Sequence, residues 1–191
     1  MLKDLILNNR SYRRFDESKA VSTEILNSLV EMARFSASGS NKQPLKFIVS
    51  NDPTANESIF STLAWAGALK DWQGPVKGER PAAYIIILQD TTISKNPGVD
   101  HGIAAQSMLL GAAEAGFGGC MLGAVNRPKL KEFLTLDEKF DILLVIALGK
   151  PAETIKLVDL EPGESTNYYR DEASTHFVPK RTLEELIVKK Y

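Results

Sequence analysis

The sequence contains very little cysteine and histidine. One cysteine, Cys120, and two histidines, His101 and His176, occur among its 191 residues. A single cysteine cannot form an internal disulfide, and three such ligands cannot build a structural zinc site without carboxylates. The absence of disulfides is typical of a reducing compartment, so we expect a cytoplasmic protein with no metal site.

The chain also lacks a charge excess and a long apolar run. Its 23 lysines and arginines are balanced by 24 acidic residues, which gives a net charge of −1. Attraction to nucleic acid or to an anionic membrane through the overall field requires a basic excess. The apolar runs stop far short of the roughly 20 residues that span a bilayer, and the N-terminus lacks signal-peptide features. We therefore expect neither a nucleic-acid partner nor a membrane partner.

What the chain does have fits one α+β domain. A chain of 191 residues with 43% hydrophobic residues can fill one core but is short for two, so we predict a single domain over residues 1–191. Residues 83–88 and 142–148 are rich in β-branched and large apolar side chains, which is typical of central strands, and residues 46–50 form a shorter candidate. The predicted helices flank these strands without alternating regularly with them, which favours α+β over a doubly wound sheet.

Helix signals are clear in several segments. Ser22 is a predicted N-cap for a helix over residues 23–35, whose apolar positions follow helical spacing. Helices are also predicted over residues 58–69 and 128–134, and a capping box opens a C-terminal helix at Thr182. Residues 71–81 are rich in glycine and proline and are predicted to form a surface loop.

The segment 100–116 is predicted to be a helix of unusual character. Asp100 is a candidate cap, and the alanine, methionine and leucine positions cover nearly the whole circumference. A helix that is apolar on almost every side must be buried on almost every side. In a domain of this size, the pattern predicts a central helix shared with a second subunit, and hence a dimer.

Four stretches are candidates for ligand contact, namely the late basic pair Lys180-Arg181 and three longer segments. The opening "NNRSYRRF", residues 8–15, combines guanidinium groups with a hydroxyl, as phosphate recognition requires, although the arginines are equally explained as solvated charges. "SASGSNKQP", residues 36–44, offers amides that suit the polar edge of a heterocycle, or is a plain connecting loop. The glycines of residues 116–124 permit close backbone approach, but Met121 stands where a dinucleotide fingerprint needs its third glycine.

Side-chain catalysis has little support. Cys120 is flanked by small and apolar residues, which indicates a buried, inert thiol rather than a nucleophile. His101 and His176 are each interpreted either as polar residues without a catalytic role or as proton-transfer groups. Because the sequence shows neither a hydrolase triad nor a metal cluster, an enzyme with this sequence would rely on a cofactor for its chemistry.

The order of these motifs resembles the nitroreductase family of FMN-dependent oxidoreductases. The chain has an opening R-S-x-R, a serine-rich loop ending in N-x-Q-P, and an alanine-rich helix running into G-x-G-G. An apolar strand ending in Gly149-Lys150-Pro151 and a late basic pair, Lys180-Arg181, complete the series. The resemblance implies a homodimer that binds two FMN molecules at its subunit interface. It also implies hydride transfer from NADH or NADPH to a small electron-poor acceptor, such as a nitroaromatic or a quinone, by ping-pong kinetics.

The resemblance assigns roles to particular residues. Arg10 and Ser11 match the grip on the phosphate and ribityl chain, and Arg13 matches a cation at the pyrimidine edge of the flavin. The loop that the family contributes from the partner subunit is matched by Ser38, Gly39, Ser40, Asn41 and Gln43. The backbone beside the reactive flavin nitrogen is matched by Met121, Leu122 and Gly123, and the terminal phosphate ligands by Lys180 and Arg181.

Several departures and alternatives remain. The family often has a basic residue at the position of Asn9, a proline at Ala37 and a bulky residue at Leu45. Trp65 and Trp72 either wall an acceptor slot or pack in the core. A specialised flavin enzyme acting on one metabolite, such as a dehalogenase or an enamide-forming dehydrogenase, is a second hypothesis. A flavin-binding sensor without turnover and a cofactor-free interaction protein are the others.

Overall fold

The computed structural model describes residues 1–161 and 163–191. Within these residues, helices and strands follow one another along the chain without regular alternation. The helices are α1 Leu2–Asn8, α2 Thr23–Phe35, α3 Pro53–Phe60, α4 Asp100–Glu114, α5 Arg127–Phe133 and α6 Leu183–Leu186. The strands are β1 Phe15–Asp16, β2 Leu45–Ser50, β3 Ala83–Asp90, β4 Gly118–Leu122, β5 Phe140–Pro151, β6 Ile155–Asp159, β7 Tyr169–Arg170 and β8 His176–Lys180.

The main sheet is antiparallel and is organised by β5. This strand is long enough to pair with β3 along one edge and with both β4 and β1 along the other. β2 completes the sheet beside β3. All eight residues of β3 are buried, because helices cover both faces of the sheet. A central strand covered on both faces has a continuous apolar sequence instead of an alternating one.

Two hydrophobic cores lie on opposite faces of this sheet. Ile85 and Ile87 pack with α2 and α4 on one face, whereas Tyr84 and Ile86 pack with Ile59 of α3 and with α5 on the other. The alternation follows from the two-residue period of a strand. The predicted α+β architecture, a central sheet flanked by helices, is confirmed.

Several local predictions agree closely with the structure. α2 has the predicted bounds, and the Ser22 side chain accepts a hydrogen bond from the amide of Ile25. Thr182 likewise caps α6 by accepting from the amide of Glu185. Side-chain caps of this kind satisfy helix donors that would otherwise lack a partner, so they are readable from local sequence.

The predicted helix over residues 58–69 is wrong. The helix in this region, α3, begins at Pro53, where Asp52 caps it by accepting from the amide of Ala55. After Phe60 the chain turns, and the amide of Ala64 donates to the carbonyl of Ala124. The Asp-Pro start signal places the helix earlier in the chain than predicted, and the tertiary pairing of Ala64 prevents it from continuing to residue 69.

The predicted cap at Asp100 is also wrong. Val99 is the N-cap of α4, and it makes no side-chain cap bond among the residues described. The buried Asp100 carboxylate instead accepts from the Ser38 hydroxyl, at 2.6 Å, and from the Gly39 amide, at 2.9 Å. A tertiary contact thus replaces the local one. In one chain, moreover, α4 is not covered on every side, because Gly102, Ile103 and Gln106 remain exposed.

A second, smaller sheet was not predicted. β6 and β8 pair in parallel, and β7 pairs with the start of β8. Pro179 lies within β8, where β7 no longer runs alongside, so its missing amide hydrogen falls on an open edge. Proline within a run argues against a strand, which is why local sequence missed this element. Within the two described ranges, no helix combines the length and apolarity that a bilayer span requires.

Gly119 offers a test of how tightly β4 packs against β5 and α4. A Cβ atom there would lie 2.6 Å from the carbonyl oxygen of Ala147 and 2.6 Å from Cδ2 of Leu109. Because one of these atoms belongs to a central strand, it cannot yield easily, and Gly119→Ala should lower the free energy of unfolding by about 1–3 kcal/mol. Urea denaturation measures this change.

Gly123→Ala is the matched control for this substitution. A Cβ at Gly123 meets no heavy atom of the described residues within 4 Å. We expect its free energy of unfolding to stay within about 0.5 kcal/mol of the parent. Equal effects of the two substitutions would show that close packing at Gly119 is not what requires glycine.

Candidate functional site

A cleft of about 350 Å³ opens where the N-terminal segment, α4, β4 and β8 meet. Its volume falls in the range of small-molecule sites. It is lined by residues from segments far apart in the sequence: Asn9, Arg10, Ser11, Arg13, Gln106, Leu109, Met121, Tyr168, His176, Val178 and Lys180. The cleft therefore brings together five of the predicted site residues, Arg10, Ser11, Arg13, Met121 and Lys180.

Backbone pairing holds the N-terminal segment against β4. Ser11 and Gly119 form an isolated β-bridge, and the amide of Tyr12 donates to the carbonyl of Gly119 at 3.0 Å. Along β4 the side chains alternate, so Met121 is exposed toward the cleft while Leu122 is buried in the core that contains Tyr84. Leu122 can therefore contact a ligand in the cleft only through its backbone.

β8 forms the opposite wall by the same alternation. His176, Val178 and Lys180 are two residues apart and all line the cleft. Because a strand rises about 3.3 Å per residue, His176 and Lys180 are about 13 Å apart along the wall. The two ends of the cleft therefore carry different chemistry, an ammonium group at one and an imidazole at the other.

The cleft is strongly cationic. Arg10, Arg13 and Lys180 line it, and none of the described lining residues is acidic. Nε of Arg10 and Nε of Arg13 are buried without a hydrogen-bond partner among the residues described. Burial lowers the pKa of Arg10, although a guanidinium group stays charged in proteins. Convergent, partly desolvated cations with unused donors suit an anion rich in acceptor oxygens, such as a phosphate.

A buried carboxylate behind the cleft orders the N-terminal segment. Glu153 Oε1 accepts from the amide of Arg13, at 2.5 Å, and from that of Arg14, at 3.2 Å. Glu153 Oε2 accepts from Nη2 of Arg170 at 2.9 Å, and the Glu153 side chain is only 1% exposed. One carboxylate thus links the arginine-rich opening to the small sheet.

Aromatic rings complete this end of the cleft. The guanidinium carbon of Arg13 lies 4.6 Å from the centre of the Tyr168 ring. Tyr168 in turn packs on His176, with ring centroids 5.2 Å apart and planes inclined at 31°. A cation over a tyrosine face is attracted by the ring quadrupole, which fixes the direction of Arg13.

His176 is a buried imidazole. Its side chain is 0% exposed, and Nδ1 and Nε2 both lack a hydrogen-bond partner within residues 1–161 and 163–191. Burial lowers the pKa of His176 to about 4; Glu153 opposes this shift, whereas Arg13 and Arg170 add to it. The imidazole is therefore neutral in the folded protein at physiological pH.

This lowered pKa predicts an acid sensitivity of the ligand-free protein. Between pH 6.5 and pH 4 the unfolded chain binds a proton at His176 that the folded chain does not bind, so the free energy of unfolding falls as the pH falls. His176→Phe removes this contribution. Urea denaturation should show that the variant loses about 1–2 kcal/mol less than the parent between pH 7 and pH 5. Identical pH dependence in the two proteins would contradict the burial of a neutral imidazole.

The loop predicted to come from a partner subunit lies elsewhere in the chain. Ser38, Gly39, Ser40, Asn41 and Gln43 are outside the cleft, and Ser38 is already bonded to Asp100. Backbone φ is positive at Ser40, Asn41 and Gln43, with values of 51°, 53° and 52°. Left-handed conformations are costly for residues other than glycine and concentrate at functional sites. One chain alone therefore does not join this loop to the cleft, and its flavin contact stays a prediction.

Other predicted residues also lie outside the cleft. Arg181 pairs with Glu185 on α6, and Gly123 follows β4 in open space. Trp65 packs in the core with Phe60, and the Arg170 guanidinium covers the ring of Trp72 at 4.4 Å. Burial raises the pKa of the Cys120 thiol, which fits an unreactive core residue. His101 follows Asp100 in α4, away from the cleft lining.

Several lining residues were not predicted from the sequence. Gln106, Leu109, Tyr168 and Val178 had no predicted contact, and the role of His176 was left open. Gln106 and Leu109 are three residues apart on α4 and so share a face, which was available as a signal once the helix was recognised. Tyr168 and Val178 could be placed beside the cleft only once the small sheet was known.

Known proteins resemble this chain in sequence and in fold. A protein of Archaeoglobus fulgidus, named a candidate NADH dehydrogenase/NAD(P)H nitroreductase, is 26% identical over 157 residues, covering 78% of this chain and 84% of the relative. An iodotyrosine deiodinase of Haliscomenobacter hydrossis is 25% identical over 184 residues, covering 81% of each. The structure of a candidate nitroreductase of Exiguobacterium sibiricum in complex with FMN has a TM-score of 0.67 at 15% identity, covering 80% of this chain and 89% of that one.

The family assignment rests on a match to a family model. The model of the nitroreductase family matches residues 6–150, well over half of the 191 residues. This range includes the arginine-rich opening, the whole main sheet except the end of β5, and the helices that cover it. The chain belongs to the nitroreductase family.

Proposed function

We propose that this protein is an FMN-dependent oxidoreductase that transfers a hydride from NADH or NADPH to a small electron-poor acceptor. Family membership supports the general class, a flavin oxidoreductase. The observation that carries the finer proposal is the convergence of Arg10, Arg13 and Lys180 on one cleft without an acidic lining residue among those described. A relative named for NAD(P)H and a structural neighbour that binds FMN lend further support.

The cleft residues fit FMN in their chemistry. Lys180 and Arg10 would hold the phosphate, because both are cationic and Nε of Arg10 has no partner among the described residues. The Ser11 hydroxyl would bind the ribityl chain, and Met121 and Leu109 would offer apolar contact to the ring. When bound, FMN supplies two-electron transfer between donor and acceptor.

Arg13 would tune the cofactor rather than only bind it. Its guanidinium is permanently charged, and Tyr168 fixes it at the end of the cleft away from Lys180. A fixed cation at the pyrimidine edge favours negative charge there, and so favours the reduced state. Glu153 would act on Arg13 as a positioning residue, by holding its backbone amide.

We further propose that the working unit is a homodimer in which the partner's loop, residues 38–43, closes the cleft. Gly102, Ile103 and Gln106 form an exposed side of α4 beside the cleft, and Leu183, Leu186 and Val188 leave an apolar C-terminal surface uncovered. Apolar surface of this kind is typical of an interface. Light scattering of the FMN-loaded protein should give twice the mass of one chain, whereas a stable flavin-loaded monomer would contradict the proposal.

A second candidate is reductive dehalogenation of one metabolite class. The relative named an iodotyrosine deiodinase covers as much of this chain as the candidate nitroreductase does, with nearly the same identity. The cleft described here would hold FMN in the same way for either reaction. The two proposed reactions would differ in the electron acceptor.

Anaerobic spectroscopy separates these functions. The FMN-loaded protein is reduced with NADH or NADPH and then mixed with a nitroaromatic, a quinone or a halogenated phenol, while flavin absorbance is followed. Reduction by a nicotinamide and rapid reoxidation by nitroaromatics and quinones is the expected result. Reoxidation by the halogenated phenol alone would favour dehalogenation, and bound flavin that neither nicotinamide reduces would contradict both.

A further inference from the structure

The imidazole of His176 is the most unusual polar group in the cleft. Both ring nitrogens are buried and unpartnered in the described part of the chain, although a neutral imidazole always carries one N–H donor and one acceptor. Buried polar atoms are almost always hydrogen-bonded in native proteins. A ligand in the cleft that His176 lines is the natural source of the missing partner.

Two polar neighbours of His176 do not supply the missing partner. Tyr168 contacts it through the ring face, and the Tyr168 hydroxyl is turned to the amide of Ala68 at 3.4 Å. Glu153 is occupied by the amides of Arg13 and Arg14 and by Arg170. The Tyr168 hydroxyl oxygen and the Glu153 carboxylate thus each accept from other partners and make no hydrogen bond to His176.

The position of His176 on β8 determines which part of a ligand it would contact. Lys180 lies about 13 Å along the same wall, and Val178 lies between the two. If Lys180 holds the phosphate of FMN, the ring system at the other end of FMN would lie at His176 and Arg13. The distance is too long for one phosphate to contact both residues of β8.

We propose that His176 is a flavin-binding residue that donates a hydrogen bond to the ring system of FMN, next to Arg13. This inference rests on the proposed FMN function. A neutral hydrogen-bond donor beside a cation fixes the orientation of a ligand without adding charge. His176 would therefore orient the flavin ring, while Arg13 would supply the positive electrostatic field. Neither composition nor the family resemblance assigned this role to His176.

Equilibrium titration with FMN and with riboflavin, which lacks the phosphate, tests the proposal. His176→Phe keeps an aromatic ring against Tyr168 but removes the donor. It should weaken FMN and riboflavin binding by the same factor, about three- to tenfold, because the lost contact is to the shared ring. Lys180→Gln should weaken FMN binding alone. His176→Gln, which retains an N–H donor, should recover most of the lost affinity for both ligands.

Two controls separate a ligand contact from a structural role. Phe177→Leu alters the opposite face of β8, where Phe177 stacks on Tyr169, and should leave both dissociation constants unchanged. The flavin-free His176→Phe protein should melt at the same temperature as the parent or higher, because an unpartnered buried polar group has been removed. The proposal predicts weaker binding together with undiminished stability.

Clear outcomes would overturn the proposal. Unchanged affinity in His176→Phe would show that ordered water, and not flavin, satisfies the imidazole. Weakening of FMN binding alone would place His176 at the phosphate, and an equal loss in Phe177→Leu would make the effect one of strand distortion. Failure of the parent protein to bind either flavin would instead defeat the proposed function itself, so the two failures are distinguishable.

Discussion

Glu153→Ala should lower the free energy of unfolding by about 3–5 kcal/mol, since it leaves a largely buried guanidinium without its counter-ion. Arg170 has a side chain that is only 11% exposed, and Glu153 Oε2 is its salt-bridge partner. The same substitution strips the amides of Arg13 and Arg14 of their acceptor. Urea denaturation followed by circular dichroism measures the loss.

Glu79→Ala is the matched control for this effect. Glu79 pairs with Nε of Arg14 at 3.3 Å, but its side chain is 37% exposed. Exposed ion pairs contribute little, so we expect a change below about 1 kcal/mol. If the two substitutions destabilised the protein equally, Glu153 would not be the buried anchor of the arginine-rich opening.

Loss of both phosphate cations should give the largest effect on cofactor binding. The double variant Arg10→Gln, Lys180→Gln should bind FMN at least about 100-fold more weakly than the parent, because each charge-assisted hydrogen bond contributes about 1.5–3 kcal/mol. Riboflavin affinity should change little, since riboflavin lacks the phosphate. Fluorescence titration of the flavin-free protein with each ligand gives both constants.

Lys156→Gln controls for the loss of a charge from the small sheet. Lys156 lies on β6, is exposed, and is absent from the cleft lining. Its FMN affinity should match that of the parent at moderate salt, where distant surface charges are screened. Equal losses for FMN and riboflavin in the double variant would contradict a phosphate site at Arg10 and Lys180.

The strands β2, β3 and β5 and several helices were predictable because their signals are local, whereas β1 and β4 were not predicted. The apolar runs of β3 and β5 reflect burial on both faces, and the caps at Ser22 and Thr182 satisfy helix donors a few residues away. Each of these features depends on neighbours within one element. Sequence therefore contained enough information for the α+β class and for several element bounds.

The errors arise where distant contacts decide the structure. Asp100 resembles a cap, yet its carboxylate bonds to Ser38 and Gly39, more than 60 positions away. β8 contains Pro179, which local rules exclude from most strands but which the short β7 leaves at an open edge. Tertiary context overrides local propensity in both cases.

The candidate site shows the same difference between features that local sequence predicts and features that depend on distant contacts. Motif order located Arg10, Ser11, Arg13, Met121 and Lys180, all of which line one cleft. Glu153 and Tyr168 support Arg13 from about 140 and 155 positions away, so nothing in the local sequence connects them to it. Groups that position a site are harder to predict than groups that touch a ligand, because their chemistry is not specific to the ligand.

A crystal structure of the protein grown with FMN would locate the cofactor. We expect FMN in the cleft between β4 and β8, with its phosphate within hydrogen-bond distance of Lys180 and Arg10 and its ring beside Arg13. FMN bound elsewhere on the chain, or a cleft filled by side chains of a second copy, would contradict this expectation.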